Sequence, residues 1–347
     1  MCRVSRREVL AGGAALLGAT ATNAKGLLKP TPVREIGKID NLASGVYFHE
    51  GNIAVGHCNN GWIVFEDYVL VIDANYPSGA QEILPKIRSV TDKPIRFAFD
   101  THHHGDHAYG NQVWVENGAV PLAHTGVVEE MKKYETGYYG NQPGRWETTA
   151  KQRKDVAASK LKPPSLLFPK ELIFDDGKHR VELIHFGVAH TYGDAFAWLP
   201  NEKILFTGDA CVNGAFNFVG DGSVEKWIPT LEAAKKLGAK IVCPGHGQRS
   251  AETLLADQQM FFKSLRESVG KQVKAKKTPQ QIKDAVAQIS AELKANAQIA
   301  RYIGAQVAGQ VEKVYTEMTG QKFPAAQKTA RAAQEWHAHD HGLQLLV

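Results

Sequence analysis

Cysteine is scarce in this chain. Cys2, Cys58, Cys211 and Cys243 are the only four in 347 residues, widely spaced and with no C-x-x-C pair. That excludes a cysteine zinc knuckle and a disulfide framework. Long apolar runs are also missing: the most apolar stretch, Val9 to Ala21, is diluted by glycine and alanine and is too short to span a bilayer. Charge of one sign is in small excess, with 41 Lys and Arg against 36 Asp and Glu, a formal +5. Arg3, Arg6, Arg7 and Glu8 hold +2 of it, and no basic stripe with interleaved aromatics exists, so nucleic acid is not an expected partner. What remains is 43% hydrophobic and 22% charged, enough for a sizeable core in one large domain or two ordinary ones.

Ser5-Arg6-Arg7-Glu8-Val9-Leu10 is a twin-arginine pattern followed by small and apolar residues, with Ala19-Thr20-Ala21 and Thr22-Asn23-Ala24 as small-x-small cleavage sites. This predicts a signal over residues 1–24, export to the periplasm or beyond, and no stable membrane insertion once it is removed. The bland alternative is an unstructured terminus that contains Arg-Arg.

Beyond a Pro-containing linker, strand-like runs at 45–49, 52–57, 62–65 and 68–72 are separated by turn residues, and 78–88 has helical periodicity despite Pro85. A strand over 95–99 precedes a histidine-rich loop, and a strand over 119–123 leads into a helix from 125 to 134. Residues 135–169 break the pattern with Gly, Pro, Lys and Tyr, and read as either a lid over a substrate or a solvated insertion. Strands at 171–174, 179–186, 195–199 and 203–206, a helix over 224–237 and a strand over 240–243 make a second half with similar order. From Glu252 onward the pattern is helical, with a capping box at Thr278-Pro279-Gln280-Gln281 and a last helix over 298–318. The fold class is therefore layered α/β with a carboxy-terminal helical subdomain over 251–347.

Thr101-His102-His103-His104-Gly105-Asp106-His107 leaves the end of the Ile95–Phe99 strand. Alternate residues of an extended segment share a face, so His102 and His104 point one way and His103 the other, toward a packing or supporting role. Asp106 and His107 turn a corner and can face a second metal beside the first. A mononuclear site needs three protein ligands, and this loop alone offers four. Further candidates stand at later strand ends: His190 in Gly187–Asp194, Asp209 in Phe206-Thr207-Gly208-Asp209, and His246 in Cys243-Pro244-Gly245-His246-Gly247.

H-x-H-x-D-H, then an isolated His, then T-G-D, then P-G-H-G, resembles the metallo-β-lactamase-fold hydrolases over residues 40–250. The resemblance implies a four-layer αββα sandwich and two metal ions, usually zinc, with iron or manganese open. It implies that His102, His104 and His190 hold the first ion, Asp106, His107 and His246 the second, and that Asp209 bridges. Asp209 stands where the cysteine-ligand β-lactamases carry Cys, so the chain looks closer to glyoxalase II-like and cyclase-like exported members. Cys211, two residues on, is left as a thiol that could lie near the site. Asp73 resembles the family's inner supporting acid, or is a simple turn aspartate.

The expected reaction is hydrolysis of an ester, thioester, lactone or amide bond of a small molecule by a metal-bridging hydroxide, with Asp106 orienting the nucleophile or relaying its proton. A true β-lactamase is the alternative. An iron-dependent oxidoreductase, disfavoured by His104, and a non-catalytic metal- or partner-binding module stand further off. His337-Ala338-His339-Asp340-His341 mimics the main motif, but its spacing and lack of a preceding strand make it a solvated tail.

Overall fold

Trp62-Ile63-Val64 and Val69-Leu70-Val71-Ile72 are apolar at every position, the pattern of strands covered on both faces. The computed structural model describes residues 37–324 and covers them with helices on one side and a second sheet on the other. The signal segment, Cys2, the linker and the histidine cluster at 337–341 lie outside the described residues.

The first sheet runs β1 (Ile39–Ala43), β2 (Val46–His49), β3 (Asn60–Val64), β4 (Val69–Ile72), β5 (Ile95–Asp100), β6 (Val120–His124) and β7 (Leu166–Phe168) in spatial order. Pairing is antiparallel up to β4 and parallel from β4 to β7. Its connections carry α1 (Pro77–Arg88), α2 (Gly105–Ala108), α3 (Asn111–Glu116), α4 (Thr125–Met131), α5 (Arg145–Gln152) and α6 (Lys154–Ala157). The second sheet holds β8 (Glu171–Asp175), β9 (Arg180–Ile184), β10 (Phe196–Leu199), β11 (Ile204–Phe206) and β12 (Ile241–Cys243), with α7 (Val224–Lys235) between the last two. Helices α8 (Thr253–Lys274), α9 (Pro279–Asp284), α10 (Val286–Lys294) and α11 (Val307–Thr319) follow.

The period of two sorts each strand between layers. Ile63, Leu70, Ile72 and Phe99 meet Leu183, Ala197, Leu199 and Phe206 in the core between the sheets. Trp62, Val69, Val71 and Ala98 face the other way onto Ile83 and Ile87 of α1 and Trp114 of α3. On the far side, Phe196, Trp198 and Leu205 pack on Trp227 and Leu231 of α7 and on Phe261, Phe262, Val311 and Val314 of the last helices. This is the αββα sandwich, and the carboxy-terminal helices extend its outer layer by sharing one hydrophobic cluster with the second sheet.

Four local readings differ from expectation. Residues 52–57 are not a strand: the Asn52 side chain accepts from the Ala54 N–H and starts a short 3₁₀ turn, Ile53–Val55, a local bond that competes with sheet pairing. Strand β1 is additional, with a mixed polar sequence that hides its alternation. The last helix starts only at Val307, because the chain turns at Ile303-Gly304. Residues 135–169 are built into the molecule: they hold α5, α6 and β7, Val156 is buried, and the Trp146 ring lies tilted 4.6 Å from that of Tyr109.

Candidate metal centre

Parallel strands β4 and β5, and likewise β11 and β12, end on one edge of the sandwich, where open α/β sheets place ligands. Asp73 follows β4, Thr101–His107 follows β5, Asp209 follows β11 and His246 follows β12, while His190 sits in the β9–β10 connection. His104 keeps an extended backbone, and the single turn of α2 then swings Asp106 and His107 to the neighbouring face. Gly245 lets the His246 loop lie on Asp209: a Cβ there would stand 2.0 Å from Asp209 Oδ1.

His102, His104 and His190 converge with ring nitrogens within 4.8 Å of one another, and their tautomers follow from their outer bonds. Asp73 can only accept, so the Thr101 hydroxyl, 2.7 Å away, spends its proton on Oδ1 and must accept from His102 Nδ1 at 3.1 Å. His102 Nε2 is then a lone pair, buried with no hydrogen-bond partner among the described residues. His190 Nδ1 donates to the Phe218 carbonyl at 2.9 Å, leaving Nε2 as a lone pair. His104 Nε2 donates to Asp221 at 3.0 Å, leaving Nδ1 as a lone pair. His104 Nδ1 and His190 Nε2 nevertheless face each other at 2.8 Å, with no proton to share. Three imidazole lone pairs gathered within 4.8 Å of one another suit a cation. Burial, joined by the neighbouring imidazoles, holds His102 and His104 well below the ordinary histidine range, and burial lowers His190.

The second group is acidic. His246 Nε2 lies 3.0 Å from Asp106 and 3.4 Å from Asp209, and His107 Nε2 lies 3.5 Å from Asp106 and 3.4 Å from Asp209. Asp209 also reaches His190 at 3.7 Å, so its carboxylate spans both groups. Burial would lower His246, but Asp209 and Asp106 raise it to about 9. His107 is likewise raised well above its usual value against burial, by Cys58, Asp73, Asp106 and Asp209. Asp209 is pulled well below the carboxylate range, against burial, by His246 and His107. This surplus of carboxylate charge around two imidazoles suits a second divalent cation. Asp73 holds His107 Nδ1 at 2.9 Å, so it orients one member of each group, directly here and through Thr101 there. It is no simple turn aspartate.

All seven residues singled out in the sequence therefore meet at one edge. His103 stands outside the two groups, buried 3.7 Å from Asp221 and 3.8 Å from Glu130, although the backbone at 101–103 is a bend and not the extended segment that alternation assumes. Cys211 does not face the site; it packs in the cluster with Trp227 and Phe262, and burial pushes its thiol up. The thiol beside the second group is Cys58, whose sulfur lies within 4.8 Å of the Asp73 and His107 ligand atoms. Sequence reasoning passed over Thr101, Asp221, Arg145 and Gln306. Asp221 stands between two glycines in a loop with no motif spacing, and nothing in the sequence marks it. A cleft opens over the centre, walled by Ile53, Gly56, Phe216, Phe218 and Gln306.

The model of the metallo-beta-lactamase superfamily matches residues 53–246, more than half of the chain. A metallo-beta-lactamase type 2 of Pseudomonas aeruginosa is 24% identical over 243 residues, covering 67% of this chain and 87% of that relative. Among solved structures, a metallo-beta-lactamase from Pontibacter korlensis superposes with a TM-score of 0.53 at 18% identity, over 65% of this chain and 98% of its own. TMB-1 gives 0.51 at 20% identity, over 66% and 98%. These likenesses agree with the two-sheet sandwich, and the chain belongs to the metallo-beta-lactamase superfamily.

Proposed function

We propose that the protein is an exported, dinuclear zinc hydrolase that cleaves an ester, thioester, lactone or amide bond of a small molecule. The observation that carries the metal is the 2.8 Å approach of two histidine nitrogens whose protons are committed elsewhere. His102, His104 and His190 would hold one cation and Asp106, His107 and His246 the other, with Asp209 shared. Two such cations supply polarisation of the scissile carbonyl oxygen and a water acidified toward neutrality. Asp106 reaches the cleft beside His246 and is placed to orient that water and carry its proton to the leaving group. Phe216 and Phe218, with rings 5.8 Å from His246 and 5.7 Å from His104, make an apolar wall that excludes bulk water. The twin-arginine segment at Ser5–Leu10 supports export, and no helix among the described residues is long and apolar enough to cross a membrane.

A β-lactam substrate is the second reading, favoured by the relative from Pseudomonas aeruginosa and disfavoured by Asp209 at the cysteine position. One experiment separates them: metal quantification coupled to a panel of β-lactam, lactone, thioester and phosphodiester substrates. Two zinc per chain with turnover of a lactone or thioester, lost on chelation and restored by zinc, is the expected result. Nitrocefin turnover with kcat/KM at or above about 10⁴ M⁻¹s⁻¹ would make the β-lactam reading the better one. Stoichiometric iron would end the zinc reading.

A further inference from the structure

The superfamily model stops at residue 246, yet the bonds that shape the centre continue beyond it. Gln258 is fully buried on the inner face of α8. Its side-chain amide meets the segment that follows Asp209: the Val212 N–H donates to Oε1 at 2.8 Å, and Nε2 donates to the Ala210 carbonyl at 3.0 Å. Oxygen toward a donor and nitrogen toward an acceptor is the one orientation of the amide that satisfies both. Cys211 between them is extended, with φ −141° and ψ 132°. One side chain thus does for Ala210–Val212 what a neighbouring strand would do.

That segment joins the two metal groups. Asp209, whose carboxylate spans them, is the residue just before Ala210. The His246 loop lies along the same stretch: the Gly245 N–H donates to the Gly208 carbonyl at 2.8 Å and to the Cys211 carbonyl at 3.2 Å, and the Asn213 N–H donates to the His246 carbonyl at 2.9 Å. Trp227 Nε1 shares the Ala210 carbonyl at 2.8 Å, so α7 and α8 grip one peptide group together. Displacing the segment would strand a buried N–H, which is costly, and this resists movement of the Asp209 and His246 backbones.

We propose that Gln258 is a positioning residue for the second metal group: from a helix beyond the matched region it fixes the backbone that carries Asp209 and supports His246. It acts through the peptide groups on either side of Cys211. This rests on the metal-hydrolase reading above, which makes Asp209 and His246 ligands. The first group depends on it less, because His102, His104 and His190 are oriented by Thr101, Asp221 and the Phe218 carbonyl. The carboxy-terminal helices are then a working part of the centre as well as an outer layer of the sandwich.

The test is a two-step zinc titration of the full-length protein against a chromophoric chelator, with the step that survives in His102→Ala assigned to the second group. Gln258→Met, which keeps the volume and removes both bonds, should weaken the second step by about 10–100-fold and the first much less. Gln258→Asn, one methylene shorter, can hold one partner at most and should fall between Gln258→Met and the unaltered protein. Leu265→Ala removes packing from the same buried face of α8, seven residues further on. It should lower the urea midpoint and leave both zinc steps unchanged, which a merely structural role of Gln258 would not allow it to differ in. Equal weakening of the second step in Leu265→Ala overturns the assignment, as does weakening confined to the first step. Loss of folding in both Gln258 variants makes the residue structural and overturns it too. Fewer than two zinc on the unaltered protein ends the two-ion reading together with the assignment. Two zinc, held as tightly by Gln258→Met as by the unaltered protein, ends only the role of Gln258.

Discussion

Arg145 and Asp221, 76 residues apart in the chain, meet through two hydrogen bonds: Nη1 to Oδ2 at 2.6 Å and Nη2 to Oδ1 at 3.0 Å. Asp221 in turn holds His104 Nε2, and Lys133 adds a third cationic contact at 3.2 Å. The insertion that reads as either a lid or a solvated segment in the sequence thus reaches the first histidine group through one carboxylate. Asp221 is held far below the ordinary carboxylate range, against its burial, by the neighbouring His103 and by its bonds to His104 and Arg145.

Removing the fork should loosen His104. Arg145→Ala is expected to weaken zinc at the first group by about 10–100-fold, the usual effect of losing a partner that orients a ligand. Arg145→Lys should recover only part of this, since an ammonium cannot make the paired contact. Competition titration against a chromophoric chelator reads it. Unchanged zinc affinity in Arg145→Ala would mean that the insertion leaves the centre alone.

Adjacent histidines should behave differently. His102→Ala removes a lone pair from the centre and should abolish zinc at the first group and with it turnover. His103→Ala should keep the full zinc content, because its ring lies on the far side, against Asp221 and 5.9 Å from Tyr134. It should lower stability by about 1–3 kcal/mol, typical for a buried group that packs. Metal analysis and urea unfolding of both variants check this; equal metal loss would refute the facing of the two rings.

Asp73 serves both groups, so Asp73→Asn should weaken both zinc ions rather than one. An amide can still accept from the Thr101 hydroxyl, but it no longer offers a charged oxygen to His107 Nδ1. The second group should suffer more, by about 10–100-fold. Two-step zinc titration separates the sites, and selective loss at the first group would contradict the arrangement.

A pH effect is expected away from the centre. Burial, with the His185 ring stacked 3.9 Å away, lowers His124 to about 4. Its Nε2 donates to the Pro169 carbonyl, and Nδ1 accepts from the Gly126 N–H, so the neutral ring is fully used. Between pH 4 and the ordinary value of 6.5 the unfolded chain binds a proton that the folded one does not. The stabilisation is complete above 6.5 and is lost as pH falls through about 4. Metal-stripped His124→Gln should therefore lose less stability than the unaltered protein across this window, read as urea midpoints; parallel curves would contradict it.

Much of this molecule is legible as residues in order. Two periodicities separate strands from helices, the Thr278 capping box opens α9 where expected, and Leu254, Phe261, Leu265 and Val269 form the buried stripe of α8. The seven centre residues stand out for the same reason: ligand chemistry needs His and Asp, and strand ends with glycine loops present them. Local competition is harder to read, as Asn52 shows by turning an apparent strand into a 3₁₀ turn.

Residue type and spacing were thus sufficient for the layered class, the family and the set of side chains that gather. They could not choose partners for those side chains. That Asp73 rather than solvent holds His107, that Asp221 and Arg145 stand behind His104, that Cys58 and not Cys211 lies beside the centre, and that Gln306 lines the cleft are all matters of contact between segments far apart in the chain. Hydrogen bonds and burial act over a few ångströms in space and leave no period in sequence, so only the folded chain could decide them.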